Sequence, residues 1–191
     1  IGYSWSLNLL GRVLSLGSDD YVAFFEPTNR GQKFYFHKES DGSFTPLNAC
    51  NAELVATSTE YWLMVGGTKV VYYKTGGGIK QILSAGGVVT DFNYDTDDRL
   101  EEVLTVRTVG SDYYHNSLVI AYETGGMGPG ASTIIETITE RSYVGTDSTP
   151  ADADYDPMAR IELEIPDTTV SSRCPAGNLY RVKFQTPVVS G

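Results

Sequence analysis

Histidine, cysteine, basic residues and long apolar runs are all scarce in this chain of 191 residues. It has two His and two Cys, and its formal net charge is −10 at pH 7 because 24 acidic residues outnumber 14 basic ones. Duplex nucleic acid and anionic membrane surfaces attract clustered Lys and Arg, so this charge argues against both as partners. No run approaches the roughly 20 apolar residues of a spanning helix, and we expect no membrane span.

The same scarcity limits enzymatic chemistry. A Ser/His/Asp arrangement would have to use His37 or His115, and the sequence has no G-x-S-x-G motif. Cys50 and Cys174 lack a nucleophile signature, and they form either one long-range disulfide or two buried thiols. Gly76-Gly77-Gly78 is not followed by the Lys-Ser/Thr of a phosphate-binding loop. The sequence therefore predicts a protein that is not an enzyme and has no cofactor.

What the chain does contain is typical of β structure. Thirteen Tyr and 20 Gly favour short strands joined by tight turns, and turn-forming residues recur about every 8–12 positions. Asp41-Gly42 and Gly66-Gly67 are hairpin signals. This pattern predicts an all-β fold of antiparallel hairpins, stacked as a repeat-like ribbon or partial shell with little helix. Predicted strands cover residues 21–25, 33–37, 60–64, 69–73, 79–84, 88–94, 100–108, 116–123, 132–144, 159–165 and 179–186, with one helical turn over 49–55.

A glycine-rich segment, Thr124-Gly125-Gly126-Met127-Gly128-Pro129-Gly130, interrupts this pattern. It separates residues 1–123, an N-terminal hairpin region, from residues 131–191, a region of more divergent β repeats. Because the strand pattern resumes unchanged after the glycines, we expect the two regions to be continuous rather than linked by a flexible tether.

One sequence pattern recurs with an offset of 21 residues. Residues 73–82 align with 94–103: a Tyr ends one strand, turn-forming residues follow, and an aliphatic residue opens the next strand. Residues 155–161 give a third copy. The Tyr ring is expected to pack on the neighbouring repeat with its hydroxyl in water. We predict structural roles for the following repeat residues: Tyr73, Gly78, Ile79, Tyr94, Asp95, Arg99, Leu100, Tyr155, Asp156 and Arg160.

The second copy carries a family resemblance. Phe92-Asn93-Tyr94-Asp95-Thr96-Asp97-Asp98-Arg99-Leu100 resembles the tyrosine–aspartate motif of the RHS/YD-repeat family, whose pattern is Y-x-Y-D-x-x-G-R-L. It departs from that pattern at Phe92, in place of Tyr, and at Asp98, in place of Gly. The resemblance implies an N-terminal or early-repeat segment of a bacterial secreted or cell-surface protein. Some members of the family are toxins. In that family a long β-sheet ribbon winds into a hollow shell around a C-terminal domain.

The predicted function is therefore structural, with the chain building part of an extracellular shell. Its expected partners are other segments of the same long chain, and either an enclosed C-terminal domain or surface glycans. The alternative is a carbohydrate-binding β-sandwich adhesin module, in which Trp62, Tyr72 and Tyr73 stack on sugar rings. A glycosidase with two carboxylates close in space is a third interpretation.

An acidic stretch supplies the one metal candidate in the sequence. Asp152, Asp154 and Asp156 alternate along it, and Ca²⁺ takes six to eight oxygen ligands, often from Asp. However, Pro157 stands where an EF-type loop has its Gly. The pattern indicates either a weak calcium site or a solvated acidic loop.

Overall fold

The structure, a computed structural model, describes residues 12–16, 21–26, 32–47, 51–122, 135–164 and 181–185. Within these ranges the protein is all-β, with antiparallel sheets, no α-helix and a single 3₁₀ turn at Asp152–Asp154. None of the described residues belongs to a helix long and apolar enough to cross a membrane. The prediction of an all-β fold with little helix is confirmed.

The chain divides into two compact units. The first, the N-terminal unit, ends at Asp91, and the second, the C-terminal unit, contains the chain from Phe92 onward. The division therefore falls within a strand and not at the glycine-rich segment, which lies outside the described residues. The strands that flank this segment pair directly with each other, from Tyr113↔Gly145 to Tyr122↔Ile135.

The N-terminal unit contains two sets of antiparallel strands. Strands β1 to β4 form a four-stranded sheet in chain order, and β5 to β9 lie at one end of a ten-stranded order that runs from β5 to β14. The strands are β1 (Arg12–Leu16), β2 (Tyr21–Glu26), β3 (Gln32–Lys38), β4 (Phe44–Pro46), β5 (Ala52–Ala56), β6 (Glu60–Val65), β7 (Thr68–Tyr73), β8 (Ile79–Leu83) and β9 (Val89–Tyr94). Strand β9 spans the boundary between the units.

The C-terminal unit is an antiparallel meander of longer strands. These are β10 (Leu100–Val109), β11 (Asp112–Tyr122), β12 (Ile135–Gly145), β13 (Asp156–Glu164) and β14 (Arg181–Gln185). Each pairs with its neighbour in the chain, and β12 carries a register irregularity between Glu140 and Arg141 opposite β13.

Aromatic rings hold the two sheets of the N-terminal unit together. Phe24 of β2 is fully buried, and its ring centroid lies 5.7 Å from that of Tyr61 in β6 and 5.1 Å from that of Tyr72 in β7. Because successive side chains of a strand point to opposite faces, Leu63 joins Tyr61 on the inner face. Burial of one such side chain contributes roughly 1.5–3 kcal/mol, so these rings are a main source of stability for the unit.

A backbone contact fixes the first strand beside the turn that joins β7 to β8. The N–H of Val13 donates to the carbonyl of Gly77 at 2.9 Å. Gly77 has φ +70°, and a Cβ at this position would overlap the carbonyl oxygen of Val13. Only Gly satisfies both the left-handed conformation and the close approach of the β1 backbone.

The sequence predicted every strand except β1, β4 and β5, as far as the described residues reach. The helical turn predicted over 49–55 is wrong, because Ala52–Ala56 forms β5 and pairs with β6 from Ala52↔Val65 to Ala56↔Tyr61. Leu54 is buried in the middle of this strand, so cross-strand packing overrides a local helical preference. Cys50 and Cys174 lie outside the described residues.

We expect Gly77→Ala to destabilise the protein more than Gly76→Ala. Gly76 also has positive φ, but a Cβ there would meet nothing within 4 Å, so its variant carries only the left-handed backbone cost of about 1–2 kcal/mol. Gly77→Ala forces the β1 backbone to move as well and should cost at least about 1 kcal/mol more. Denaturant unfolding of the two variants measures this difference, and equal losses would contradict the proposed contact.

Candidate functional site

Asp95 organises the turn between β9 and β10. Its Oδ1 accepts the backbone N–H groups of Asp97 at 2.9 Å and Arg99 at 3.0 Å. Its Oδ2 accepts from the Arg99 guanidinium, at 2.7 Å from Nε and 2.6 Å from Nη2. The hydrogen bond from the Arg99 side chain is the main reason that the pKa of the Asp95 carboxyl lies below its usual range. The carboxylate therefore satisfies the turn in its ionised form.

The remaining motif residues complete this turn. Asp98 has φ +58°, and it is the one non-glycine residue with positive φ in the described part of the chain. It stands at the Gly position of the tyrosine–aspartate pattern, and Gly is the residue that adopts positive φ most readily. The Arg99 guanidinium lies 4.8 Å from the ring centroid of Tyr122, whose hydroxyl donates to the Leu100 carbonyl at 2.8 Å. Leu100 itself is buried.

The first copy of the repeat makes a related but different turn. The N–H of Tyr73 donates to the Gly78 carbonyl at 2.9 Å. In the second copy the corresponding hydrogen bond runs from the Asp95 N–H to the Arg99 carbonyl, so its turn is one residue shorter. Both turns lead into a buried aliphatic residue, Ile79 or Leu100. Tyr73 is 37% exposed, and Tyr94 is half-buried. The aliphatic position of the repeat is thus more deeply buried than its Tyr.

The third copy does not form a turn. Tyr155 directly follows the 3₁₀ turn, and Asp156–Glu164 forms strand β13. Arg160 pairs with Thr139 of β12, and its guanidinium lies 3.5 Å from Glu162 rather than on Asp156. The repeat prediction is corrected here: β12 offers a pairing edge that keeps this segment extended, and the reversal of the chain occurs earlier, over residues 146–155.

A polar network that the sequence did not reveal lies in the C-terminal unit. Arg141 of β12 stands directly opposite Ser117 of β11. Its Nε donates to Ser117 Oγ at 3.2 Å, and its Nη2 donates to Glu102 Oε1 of β10 at 3.0 Å. Ser117 Oγ in turn donates to Glu102 Oε1, and Asn93 Nδ2 donates to Glu102 Oε2 at 2.9 Å. We call Glu102, Ser117 and Arg141 the buried network, and Asn93, which is exposed, contributes a hydrogen bond at its edge.

Glu102 and Arg141 carry opposite charges in this network. Burial raises the pKa of the Glu102 carboxyl, but hydrogen bonds from Ser117, Arg141 and Asn93 outweigh it and the net shift is downward. Burial likewise opposes the charged form of Arg141, and the hydrogen bonds to Glu102 and Asp152 more than compensate, so its pKa is raised. Both side chains therefore stay ionised. Ser117 is 1% exposed, so its hydroxyl serves the network and does not meet solvent.

The network also anchors the segment of residues 146–155, which we call the clasp. Arg141 Nη1 donates to Asp152 Oδ1 at 2.8 Å, and the guanidinium carbon lies 4.4 Å from the ring centroid of Tyr155. The backbone N–H of Asp147 donates to Tyr143 Oη at 3.2 Å. A single Arg thus connects three strands to the clasp.

The acidic residues of the clasp are used within the protein. Asp152 binds Arg141, Asp154 Oδ2 accepts the N–H of Ala151 at 2.8 Å, and Asp156 begins β13. Among the residues that the structure describes, no group of three or more His, Cys, Asp or Glu side chains is arranged to hold a metal ion. Asp152, Asp154 and Asp156 are therefore not brought together as ligands.

The aromatic residues proposed for sugar stacking lie on opposite faces of the sheet that contains β6 and β7. Tyr72 is fully buried against Phe24, so it cannot contact a ligand. Trp62 and Tyr73 point away from the inner face. Trp62 Nε1 donates to Glu60 Oε2 at 2.8 Å, and the Lys69 ammonium lies 3.5 Å from the indole centroid.

We expect Arg141→Ala to destabilise the protein by roughly 3–5 kcal/mol, since it leaves the largely buried Glu102 without its cation. Arg160→Ala is the matched control in the adjacent strand, because its side chain is 49% exposed and its pair with Glu162 is worth only about 0–1 kcal/mol. Urea unfolding at pH 7 measures both values. Similar small losses for the two variants would show that the buried network does not hold the unit together.

The chain's own geometry is what bears on its function. No family model matches the chain, and no curated protein matches it either. Its likeness to the tyrosine–aspartate pattern therefore stands on the motif residues themselves, and chiefly on the turn that Asp95 organises.

Proposed function

We propose that this chain is a structural β-sheet segment of a large secreted or cell-surface protein of the RHS/YD type, without chemistry of its own. The observation that carries this proposal is the turn at residues 94–100. Each of its distinctive positions has a mechanical role: the Asp95 carboxylate closes the turn, Arg99 neutralises it, and Leu100 enters the core. The side chains of this turn are thus used to join two strands.

The buried polar groups support the same role. Glu102, Ser117 and Arg141 bind one another and the clasp, so their hydrogen-bonding capacity serves the fold. Catalytic groups in an active site have to meet a substrate, whereas Ser117 is closed off from solvent. In this proposal the partners are adjoining segments of the same long chain and the domain that they enclose.

A specific feature of the N-terminal unit favours a second candidate, a carbohydrate-binding module. The unit has two packed sheets, and the face of β6 to β9 opposite the core carries Trp62 and Tyr73 beside polar side chains. Glu60 binds Lys80 at 2.6 Å, and Gln81 binds Asp91 at 2.6 Å. Aromatic rings bordered by carboxylates and amides can contact sugar rings and their hydroxyls. Lys69, however, already lies over the indole of Trp62.

We expect Asp98→Gly, which restores the family pattern, to be neutral or to stabilise the protein by up to about 1 kcal/mol. Gly adopts positive φ without steric cost, and this gain offsets its greater loss of backbone entropy. Asp97→Gly is the control, because Asp97 does not have positive φ; it should lose about 0.5–1 kcal/mol from the backbone and about 0–1 kcal/mol from its exposed ion pair with Arg99. Thermal unfolding of both variants tests the turn; destabilisation by Asp98→Gly would argue against the family geometry.

Glycan binding distinguishes the two candidate functions. The chain, Trp62→Ala and Tyr114→Ala are screened together on immobilised glycans, after circular dichroism has shown that all three are folded. Tyr114 is a 40% exposed aromatic residue of the C-terminal unit and serves as the control. We expect no retention that depends on Trp62. Retention that Trp62→Ala abolishes and Tyr114→Ala preserves would overturn the structural proposal in favour of the sugar-binding one.

A further inference from the structure

His115 of β11 is a buried titratable group that the buried network does not use. It is 3% exposed and stands opposite Val106 of β10 and Tyr143 of β12. Its ring centroid lies 5.6 Å from that of Tyr143 and 6.1 Å from that of Tyr155, which belongs to the clasp. A ring that packs against aromatic rings and has almost no contact with solvent is poorly placed to carry a charge.

Among the described residues, only one of the two ring nitrogens of His115 has a hydrogen-bond partner. Nδ1 lies 3.1 Å from Tyr155 Oη, and the buried Nε2 has no hydrogen-bond partner among the described residues. A neutral imidazole has one N–H, but the imidazolium has two donors. In the imidazolium both nitrogens are donors, so Nε2 carries an N–H without a described partner and the buried ring carries a positive charge.

The clasp depends on the same small region. Tyr155 bonds to His115, the Asp147 N–H bonds to Tyr143, and Asp152 bonds to Arg141. The first of these hydrogen bonds involves the imidazole itself, and the second involves Tyr143, whose ring packs against it. A change in His115 therefore acts directly on the attachment of the clasp to the sheet.

We propose that His115 is an acid-sensitive latch, and that protonation of its imidazole releases the clasp, residues 146–155, from β11 and β12. The proposal is independent of the structural role proposed above. Nothing in it requires a ligand, because the two states differ only in whether His115 is buried beneath Tyr155 or exposed to water.

Charged groups around His115 determine the pH range over which the clasp opens. Burial lowers the pKa of His115 below its ordinary value of 6.5, while the negative charges of Asp147 and Glu102 act in the opposite direction. Glu102 belongs to β10, and Asp147 belongs to the clasp. Arg141 of β12 carries a positive charge nearby, but it is bound to Glu102 and Asp152. The described titratable neighbours on the remaining side are Tyr113, Tyr143 and Tyr155.

The direction of the effect follows from proton linkage. With the clasp closed, His115 binds a proton less readily than with the clasp open. As pH falls below about 6.5, the open form takes up the proton first, so the opening equilibrium constant rises. One proton gives at most about a tenfold rise per pH unit, and the rise ends at the lowered pKa of the closed form.

His37 makes the experiment specific, because the chain has only two His. It lies on β3 of the N-terminal unit, is about one-third exposed and contacts Glu39. The test follows the exchange protection of the Asp147 amide between pH 7.5 and 5, corrected for the intrinsic pH dependence of exchange. In parent and His37→Gln, we expect protection to fall by up to about tenfold per pH unit below 6.5. In His115→Gln, whose side chain cannot take the proton, protection should stay constant.

A second measurement needs no variant. Proton NMR of the parent gives the pKa of each imidazole, and we expect the His115 pKa below 6.5 with the Tyr155 resonances shifting in the same titration. A His115 pKa at or above 6.5 would overturn the proposal. Equal pH dependence of the Asp147 amide in parent and His115→Gln would overturn it as well.

Discussion

Hairpin turns are the constraint on which the rest of this protein depends. The strands lie in each sheet in their order along the chain, so almost every register is set by the turn that joins two neighbouring strands. A slip of one residue would exchange the buried and exposed faces of a strand, which would expose Tyr72 and bury Tyr73. The conformations of Gly77 and Asp98 and the hydrogen bonds of Asp95 therefore determine which residues form the core.

The buried network adds a constraint of another kind. Removing Glu102 and Arg141 from water is costly, and a buried ion pair often contributes little to net stability. Its geometry, however, allows few alternatives, because one guanidinium must reach Glu102, Ser117 and Asp152 at once. We infer that the network specifies how β10, β11, β12 and the clasp fit together more than it strengthens them.

Both constraints support the structural role proposed for this chain. The turns and the network bind the chain to itself, which is what a scaffold requires. The exposed face around Trp62 and Tyr73 is the feature that a scaffold does not explain, and it is where the sugar-binding alternative is tested. The latch at His115 is compatible with either function, since it concerns only the attachment of one segment in the C-terminal unit.

The sequence by itself determined most strands and turns, because alternation and turn-forming residues act over a few neighbouring positions. It also identified Asp95, Arg99 and Leu100 as a unit, since their contacts close within one turn. It did not identify β5, where pairing with β6 overrides the local preference, or the extended conformation after Tyr155. Nor could it bring Glu102, Ser117 and Arg141 together, because these residues are separated by 15 to 39 positions. Only the tertiary structure decided that Tyr72 is buried and that His115 lies beneath the clasp, since burial depends on what distant strands place against a residue.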